Sequence, residues 1–575
     1  MADFFKKLHI KSAVKSHSKF DLSCTHLTTT NFGELTPIYC AEVIPGDKFH
    51  VSANCFSRLA PLALPTYGQA NIKVASFFVP YHQVVSGFDS WLVGQKQYRG
   101  RTLVQPYITL QDLLDFANTH SQSDANNYPV ISVLYDNTSH TLYARDEYRH
   151  YFRTLNALGY QMPQGVDLAD NSTWTTKSSK IKLNALPILC AAKAVNDWLM
   201  PSNRINSSRL STVLEQIFRG DVISGVYAAD GHLQNLGQMI ADISSSVLYD
   251  NNYYTSAWAT PFSQLHVDQQ NGYIPTTVTQ VDYIQQTPSS GTFYGSTVSN
   301  SSIRINFLQR LDKWIRRNNF SGQKEIEQIL SRFGVKVEDY QSRYSQRLGY
   351  GTIPIQIGDV TSTAATSDAV LGDYVGKGIA SGGFNFDFSG QKDYGMIIAF
   401  AWIQPKAMYT TGYDRLLLKS SPTDYYTPEY DTLQASAIPI MEVAQQPIDA
   451  ITSDYRDLSR TYGWTQLYND YRFGKDRITG DFALDQSMHA WHFGRDFSEQ
   501  MLRGVFEAQN LNIIGDSDMQ QYNRIFNVID MSADHFYLHW SFNVSAQRPI
   551  CSISEAADLG DGDLIVDRNG TQMNS

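Results

Sequence analysis

The sequence predicts a mainly β protein, built of antiparallel strands that reverse at tight turns and interrupted by long loop insertions containing short helices. Three observations carry this. Apolar and polar residues alternate with a period of two near both ends and in the middle of the chain. Turn residues close each run, and between about 81 and 300 this grammar gives way to polar stretches with helical fragments.

The first strands fall within 21–80. Thr36-Pro37-Ile38-Tyr39 leads to Val43-Ile44, which stops at Pro45-Gly46-Asp47. There Pro fixes φ, Gly is free to take φ > 0 and Asp bonds its own backbone, so the chain turns. Phe49 and Val51 then alternate with Lys48, His50 and Ser52, and Ile72, Val74, Ser76 and Phe78 alternate with their neighbours until Pro80. Ahead of these strands, residues 1–20 hold Lys6, Lys7, Lys11, Lys15 and Lys19 against one acid, Asp3. This basic arm reads equally as a solvated terminus or as a contact to nucleic-acid phosphates.

Residues 81–305 form the long insertion. Helices are expected at Leu110–Phe116 and Leu186–Leu199, the second stopped by Pro201. Between Arg219 and Arg304 there is no Lys or Arg, so this surface cannot pair with phosphate and is expected to point away from nucleic acid. Tyr253, Tyr254 and Trp258 are candidates for recognising a sugar ring or protein epitope, the alternative being that they pack the insertion's own core.

A helical segment is expected over 306–345. Phe307, Leu308, Leu311 and Ile315 make one apolar stripe, and a second helix runs from Lys324 to Phe333 before Gly334. Strands resume over 346–410, at Ile353/Ile355/Ile357, at Phe384/Phe386/Phe388 and at Gly395–Ile403. The last is apolar on both faces and is expected to be central. Glycines 372, 376, 378, 382 and 383 read as a loop before Phe384.

Loops and the final strands occupy 411–545. Aromatic and basic residues interleave here, and Arg456, Arg460, Arg472, Lys475 and Arg477 are candidate DNA contacts, with subunit packing as the competing reading. The final strand alternates Phe536, Leu538, Trp540, Phe542 and Val544 with His535, Tyr537, His539, Ser541 and Asn543. His535 with His539, and His489 with His492, read as hydrogen-bonded pairs rather than metal ligands. The tail, 546–575, turns acidic.

Several function classes are disfavoured. A net charge of -10 over 575 residues argues against a nucleic-acid binder over its whole surface, so any such contact is local. Five cysteines without a Cys-x-x-Cys pair argue against a disulfide framework or zinc site and fit a reducing compartment. No apolar signal region opens the chain, and its longest apolar run is too short to span a bilayer, so a cytoplasmic product without membrane insertion is expected. No His-Glu-x-x-His, Gly-x-Ser-x-Gly or phosphate-cradling glycine motif appears, so no catalytic residue, metal or cofactor is assigned. The rival reading is a carbohydrate-binding or carbohydrate-active β-sandwich, which as an enzyme needs two carboxylates in one cleft.

Four motifs in order carry a resemblance: Phe20-Asp21-Leu22-Ser23, Asn31-Phe32-Gly33-Glu34-Leu35-Thr36-Pro37, Glu42 to Asp47, and Phe77-Phe78-Val79-Pro80. Together they resemble the opening of the major capsid proteins of microviruses, the small tailless single-stranded-DNA bacteriophages, in the gokushovirus-like branch. Asp339 to Gly351, Tyr462-Gly463-Trp464, Tyr471-Arg472-Phe473, Asp476 to Gly480 and Trp491-His492-Phe493 also follow the family's order. The resemblance implies a viral jelly roll, an eight-stranded antiparallel barrel or sandwich with long insertions. It further implies a T=1 icosahedral shell around a circular single-stranded DNA genome, assembled in the bacterial host cytoplasm. Its implied partners are copies of itself, a small basic DNA-packaging protein, scaffold proteins and a host-cell surface receptor, the last met by an outer protrusion within 110–303.

Overall fold

The computed structural model describes residues 17–98, 101–120, 149–161, 180–200, 209–257, 325–336, 344–361, 374–409, 412–443, 461–497 and 516–550, together with Ile514 and a few two- and three-residue strands. Within these spans, 235, 245–246, 390–392, 431–434, 496 and 530–533 are left aside.

The period-two segments form strands β1 (Ser18–Asp21), β2 (Cys24–Thr30), β3 (Thr36–Val43), β4 (Lys48–Leu59), β5 (Ala70–Pro80), β6 (Gln346–Pro354), β7 (Gln356–Thr361), β8 (Tyr374–Ser389), β9 (Gly395–Pro405) and β10 (Phe536–Arg548). They pair antiparallel in two sheets. One runs β1–β10–β4–β8–β7 with β2 also on β10, and the other runs β6–β5–β9–β3. β1 and β2 lie along β10 in one continuous register, from Ser18 opposite Arg548 to Thr30 opposite Phe536. Taken as one broken strand, they start a path that crosses between the sheets at β3, β4, β5, β7, β9 and β10. That path is a jelly roll. It is a sandwich rather than a closed barrel, and both sheets contribute to one core.

The alternation expected of the last strand is present. Phe536, Leu538, Trp540, Phe542 and Val544 are buried, while Tyr537, His539, Ser541 and Asn543 face out. Facing sheets meet through rings, with Tyr39 of β3 5.0 Å from Phe542 and Phe78 of β5 4.7 Å from Phe388 of β8. β9 is buried along its whole length, as its two-sided apolar run requires. One of its faces meets the first sheet, and helices of the insertion cover the second sheet from outside.

Those helices are α1 (Leu110–His120), α2 (Arg149–Ala157), α3 (Leu186–Ala194), α4 (Arg209–Arg219) and α5 (Leu236–Ser244), followed by α6 (Glu325–Phe333). α2 packs on β3, and α3 packs on β5 and β9. α3 is buried almost all round, with Leu186, Ile188, Leu189 and Cys190 inside. α6 ends where expected, as Gly334 takes φ 68° and its N–H donates to Leu330 O. The helix expected over 306–317 lies outside the described residues.

Two expectations are corrected. Gly376, Gly378, Gly382 and Gly383 belong to β8, not to a loop. A Cβ at Gly378 would lie 2.5 Å from the Leu59 side chain, and one at Gly383 would lie 2.7 Å from Ala53 O, so glycine is what lets β8 close on β4. The base-free segment is also not all outermost. Leu236, Met239, Ile240 and Ile243 of α5 are buried in the main core. An apolar helical stripe outweighs the absence of charge in placing that stretch.

Candidate nucleic-acid and assembly surfaces

The solvent face of the first sheet follows from register. Odd positions of β10 point outward, and β1, β4 and β8 set their own outward residues beside them. Lys19 and Lys48 flank Gln547, Arg58 is opposite Tyr537, and Phe56 is opposite His539. On β8, Lys377 and Asp387 share this face, with Asp387 opposite His50 and 2.5 Å from its Nδ1. Four cations, Lys19, Lys48, Arg58 and Lys377, therefore stand against two carboxylates, Asp21 and Asp387. In a chain of net charge -10 this face is locally positive. None of the four forms an ion pair among the described residues. Phe56 and Tyr537 are exposed on the same face, the Arg58 guanidinium 5.4 Å from the Phe56 ring centre. A cleft of about 1240 Å³ opens beside them, bounded by Leu27 of β2, by Asn156 of α2 and by Gly159 just after it.

Sequence reasoning placed only Lys19 here. Lys6, Lys7, Lys11, Lys15, Arg456 and Arg460 lie outside the described residues. Arg472 is exposed and donates to Leu467 O at 3.0 Å. Lys475 is corrected. The Lys475 ammonium is held 2.6 Å from the buried Glu442 carboxylate and lies 4.3 Å from the Tyr253 ring centre. Arg477 pairs with Asp414. Lys475 is thus turned to a carboxylate of its own chain and has little field left for phosphate, whereas Arg477 stays largely exposed beside its partner.

The recognition candidates are corrected by the same cluster. Asn252 Oδ1 accepts the N–H groups of Tyr254 and Thr255, each at 2.9 Å, and this turn drives the tyrosines inward. Tyr253 and Tyr254 are buried with Ile438, Ile440, Val443, Tyr462 and Phe497 in a second core. Tyr254 Oη donates to Glu442 O at 3.1 Å. Burial removes both from any recognition surface. Trp258 lies outside the described residues.

The histidines divide as well. His539 is exposed on the sheet face, but His535 precedes β10 and is buried. Its backbone N–H donates to Asn31 Oδ1 at 3.0 Å, and its Nε2 lies 2.7 Å from Val528 O. His492 is a neutral tautomer by geometry. Its Nδ1 accepts the Gly494 N–H at 3.0 Å, so the ring proton sits on Nε2, 2.7 Å from Phe482 O. Burial holds its pKa below the usual 6.5. A depressed histidine pKa contributes stability above the unfolded value, and that contribution is lost as pH falls through the folded value. The subunit should therefore unfold at lower denaturant as pH drops from about 7 to about 5, and His492→Gln should flatten that slope. An equal slope in the variant would contradict this.

An ion triad that sequence reading missed ties the fold together. Arg153 of α2 pairs with Glu34, in the turn after β2, and with Asp534, just before β10, at 2.6 Å. All three are nearly buried. Burial disfavours the guanidinium charge, but the two carboxylates outweigh it and raise the Arg153 pKa.

Comparison with known proteins agrees with this architecture. The family model described as Capsid protein (F protein) matches residues 8–159 and 230–557, most of the chain. Capsid protein VP1 of Bdellovibrio phage phiMH2K is 22% identical over 540 residues, covering 85% of this chain and 87% of that protein. Capsid protein VP1 of Chlamydia phage 1 is 20% identical over 542 residues, covering 85% and 88%. Such a family works by joining copies of one chain into the shell of a virion. With a jelly roll, long insertions and a match along most of its length, the chain belongs to the phage capsid protein (F protein) family and serves as a major capsid protein.

Proposed function

We propose that the shell encloses single-stranded DNA and that the solvent face of the first sheet is turned toward it. The observation that carries this reading is a locally positive sheet face with exposed aromatic rings on a chain that is acidic overall. Phosphates meet Lys19, Lys48, Arg58 and Lys377, and bases stack on Phe56 and Tyr537, a combination that holds a strand without regard to sequence. The Lys-rich arm, Lys6 to Lys15, leads into β1 on this face and adds further phosphate contacts.

The particle is a T=1 shell assembled in a bacterial cytoplasm around a circular genome, with a small basic packaging protein and scaffold proteins as partners. The chain's part in it is structural, not catalytic. Contact with a host-cell receptor falls to the part of the insertion beyond Ala257, Trp258 included.

Binding of single-stranded DNA to the purified chain across a salt series tests the face. Arg58→Ala should reduce the slope of log K against log salt by about 0.7, one phosphate contact. Tyr537→Ala should weaken binding by about 1–3 kcal/mol with the slope unchanged. Wild-type slope and affinity in both variants would overturn the assignment.

A further inference from the structure

The loops between β9 and β10 hold apolar side chains out into solvent. Leu416 and Leu417 are 66% and 72% exposed, and Tyr425, Tyr426 and Tyr471 are 53%, 50% and 57% exposed. The tyrosines are neighbours. The Tyr426 ring lies 6.2 Å from that of Tyr471, and the Lys419 ammonium stands 4.1 Å from the centre of Tyr471 and 5.7 Å from that of Tyr425. The two leucines sit on the turn Arg415–Leu418 that runs directly into Lys419.

This patch is held in place by the subunit itself. Asp414 caps the leucine turn through the Leu416 N–H. Arg415 donates to Ala437 O at 2.8 Å and to Ser436 Oγ at 2.6 Å. Ser421 and Asp424 form a reciprocal cap around the next turn. Rigid, outward-facing tyrosine and leucine lose little entropy on contact, which is the property of an interface anchor.

Charge selects the occupant. Lys419 is paired with Asp470 at 2.7 Å, Lys406 with Asp476 at 3.3 Å, Lys475 with Glu442 and Arg477 with Asp414. Neutralised cations attract phosphate weakly, and the further cation beside Tyr471, Arg472, donates to Leu467 O at 3.0 Å, so nucleic acid gains little here. A second copy of a chain with net charge -10 is repelled by an acidic face and approaches best on an electrically quiet, apolar one. We infer that the patch of Leu416, Leu417, Tyr425, Tyr426 and Tyr471 is a contact between copies of this chain in the shell. The inference rests on the shell reading and names one of its faces. In a closed ring such a contact is heterologous, so a different surface of the next copy receives the patch.

Hydroxyl-radical footprinting of the wild-type chain, as intact shells and as dissociated subunits, tests it. Labelling of Tyr425, Tyr426 and Tyr471 should fall several-fold in shells. The double variant Leu416→Asp, Leu417→Asp should keep the subunit's circular dichroism and unfolding midpoint while its association weakens by at least about tenfold. Should that variant fail to fold, the wild-type footprint decides alone. Full labelling of the three tyrosines inside intact shells overturns the inference and leaves the shell standing. A wild-type chain that forms no shell under any condition overturns both.

Discussion

Replacing Arg153 by leucine lowers the stability of the subunit by about 3–5 kcal/mol, the cost of stranding buried charge without its partner. Glu34 and Asp534 are both nearly sealed from water, and the guanidinium between them is the group that answers their charge. Leucine keeps much of the volume and removes the answer. The measurement is the urea midpoint, with an unchanged denaturant slope showing that the folded and unfolded ensembles are otherwise the same. Adding Glu34→Gln and Asp534→Asn to the leucine variant should restore part of the loss, because neutral amides are cheaper to bury than carboxylates. A loss below about 1 kcal/mol in the single variant would show the triad to be hydrated and unimportant.

Trp540→Ala should cost a similar amount, about 3–5 kcal/mol, by removing the largest side chain from the centre of the sandwich. Trp540 is fully buried on β10, with the rings of Phe384 and Phe542 each 6.1 Å away. Its indole N–H finds no acceptor among the described residues. Trp540→Phe should therefore cost much less, below about 2 kcal/mol, since it gives up some packing but also removes a buried donor that has no partner. Equal losses in the two variants would mean that the indole N–H is hydrogen-bonded after all. Chemical denaturation of both, on the same preparation, separates the cases.

The parts of the fold legible in the sequence are those governed by local periodicity. The alternation from Phe536 to Val544 and the two-sided apolar run of β9 each state which face meets the core. The turn at Pro45-Gly46-Asp47 and the helix stop at Gly334 are legible for the same reason, since a single residue's backbone freedom decides them. Order across the two sheets was legible only through resemblance, because pairing β10 with β1 and β2 joins opposite ends of the chain.

What stayed hidden depends on partners far away in sequence. Glycines in β8 look like a loop until Leu59 and Ala53 of the adjacent strand are seen to need the space. Lys475 looks available for phosphate until Glu442 is placed beside it. Tyr253 and Tyr254 look like a recognition surface until the second core closes over them. The same limit concealed the sheet face, because Lys19, Lys48, Arg58 and Lys377 come from three different strands and only the register of β10 and β4 brings them together.

A cryo-electron-microscopy reconstruction of particles assembled from the full chain tests the central claim most directly. The expected result is a closed icosahedral shell in which Phe56, Arg58 and Tyr537 line the inner wall against nucleic-acid density. A shell with that face turned to the solvent outside, or a chain that stays monomeric, would contradict it.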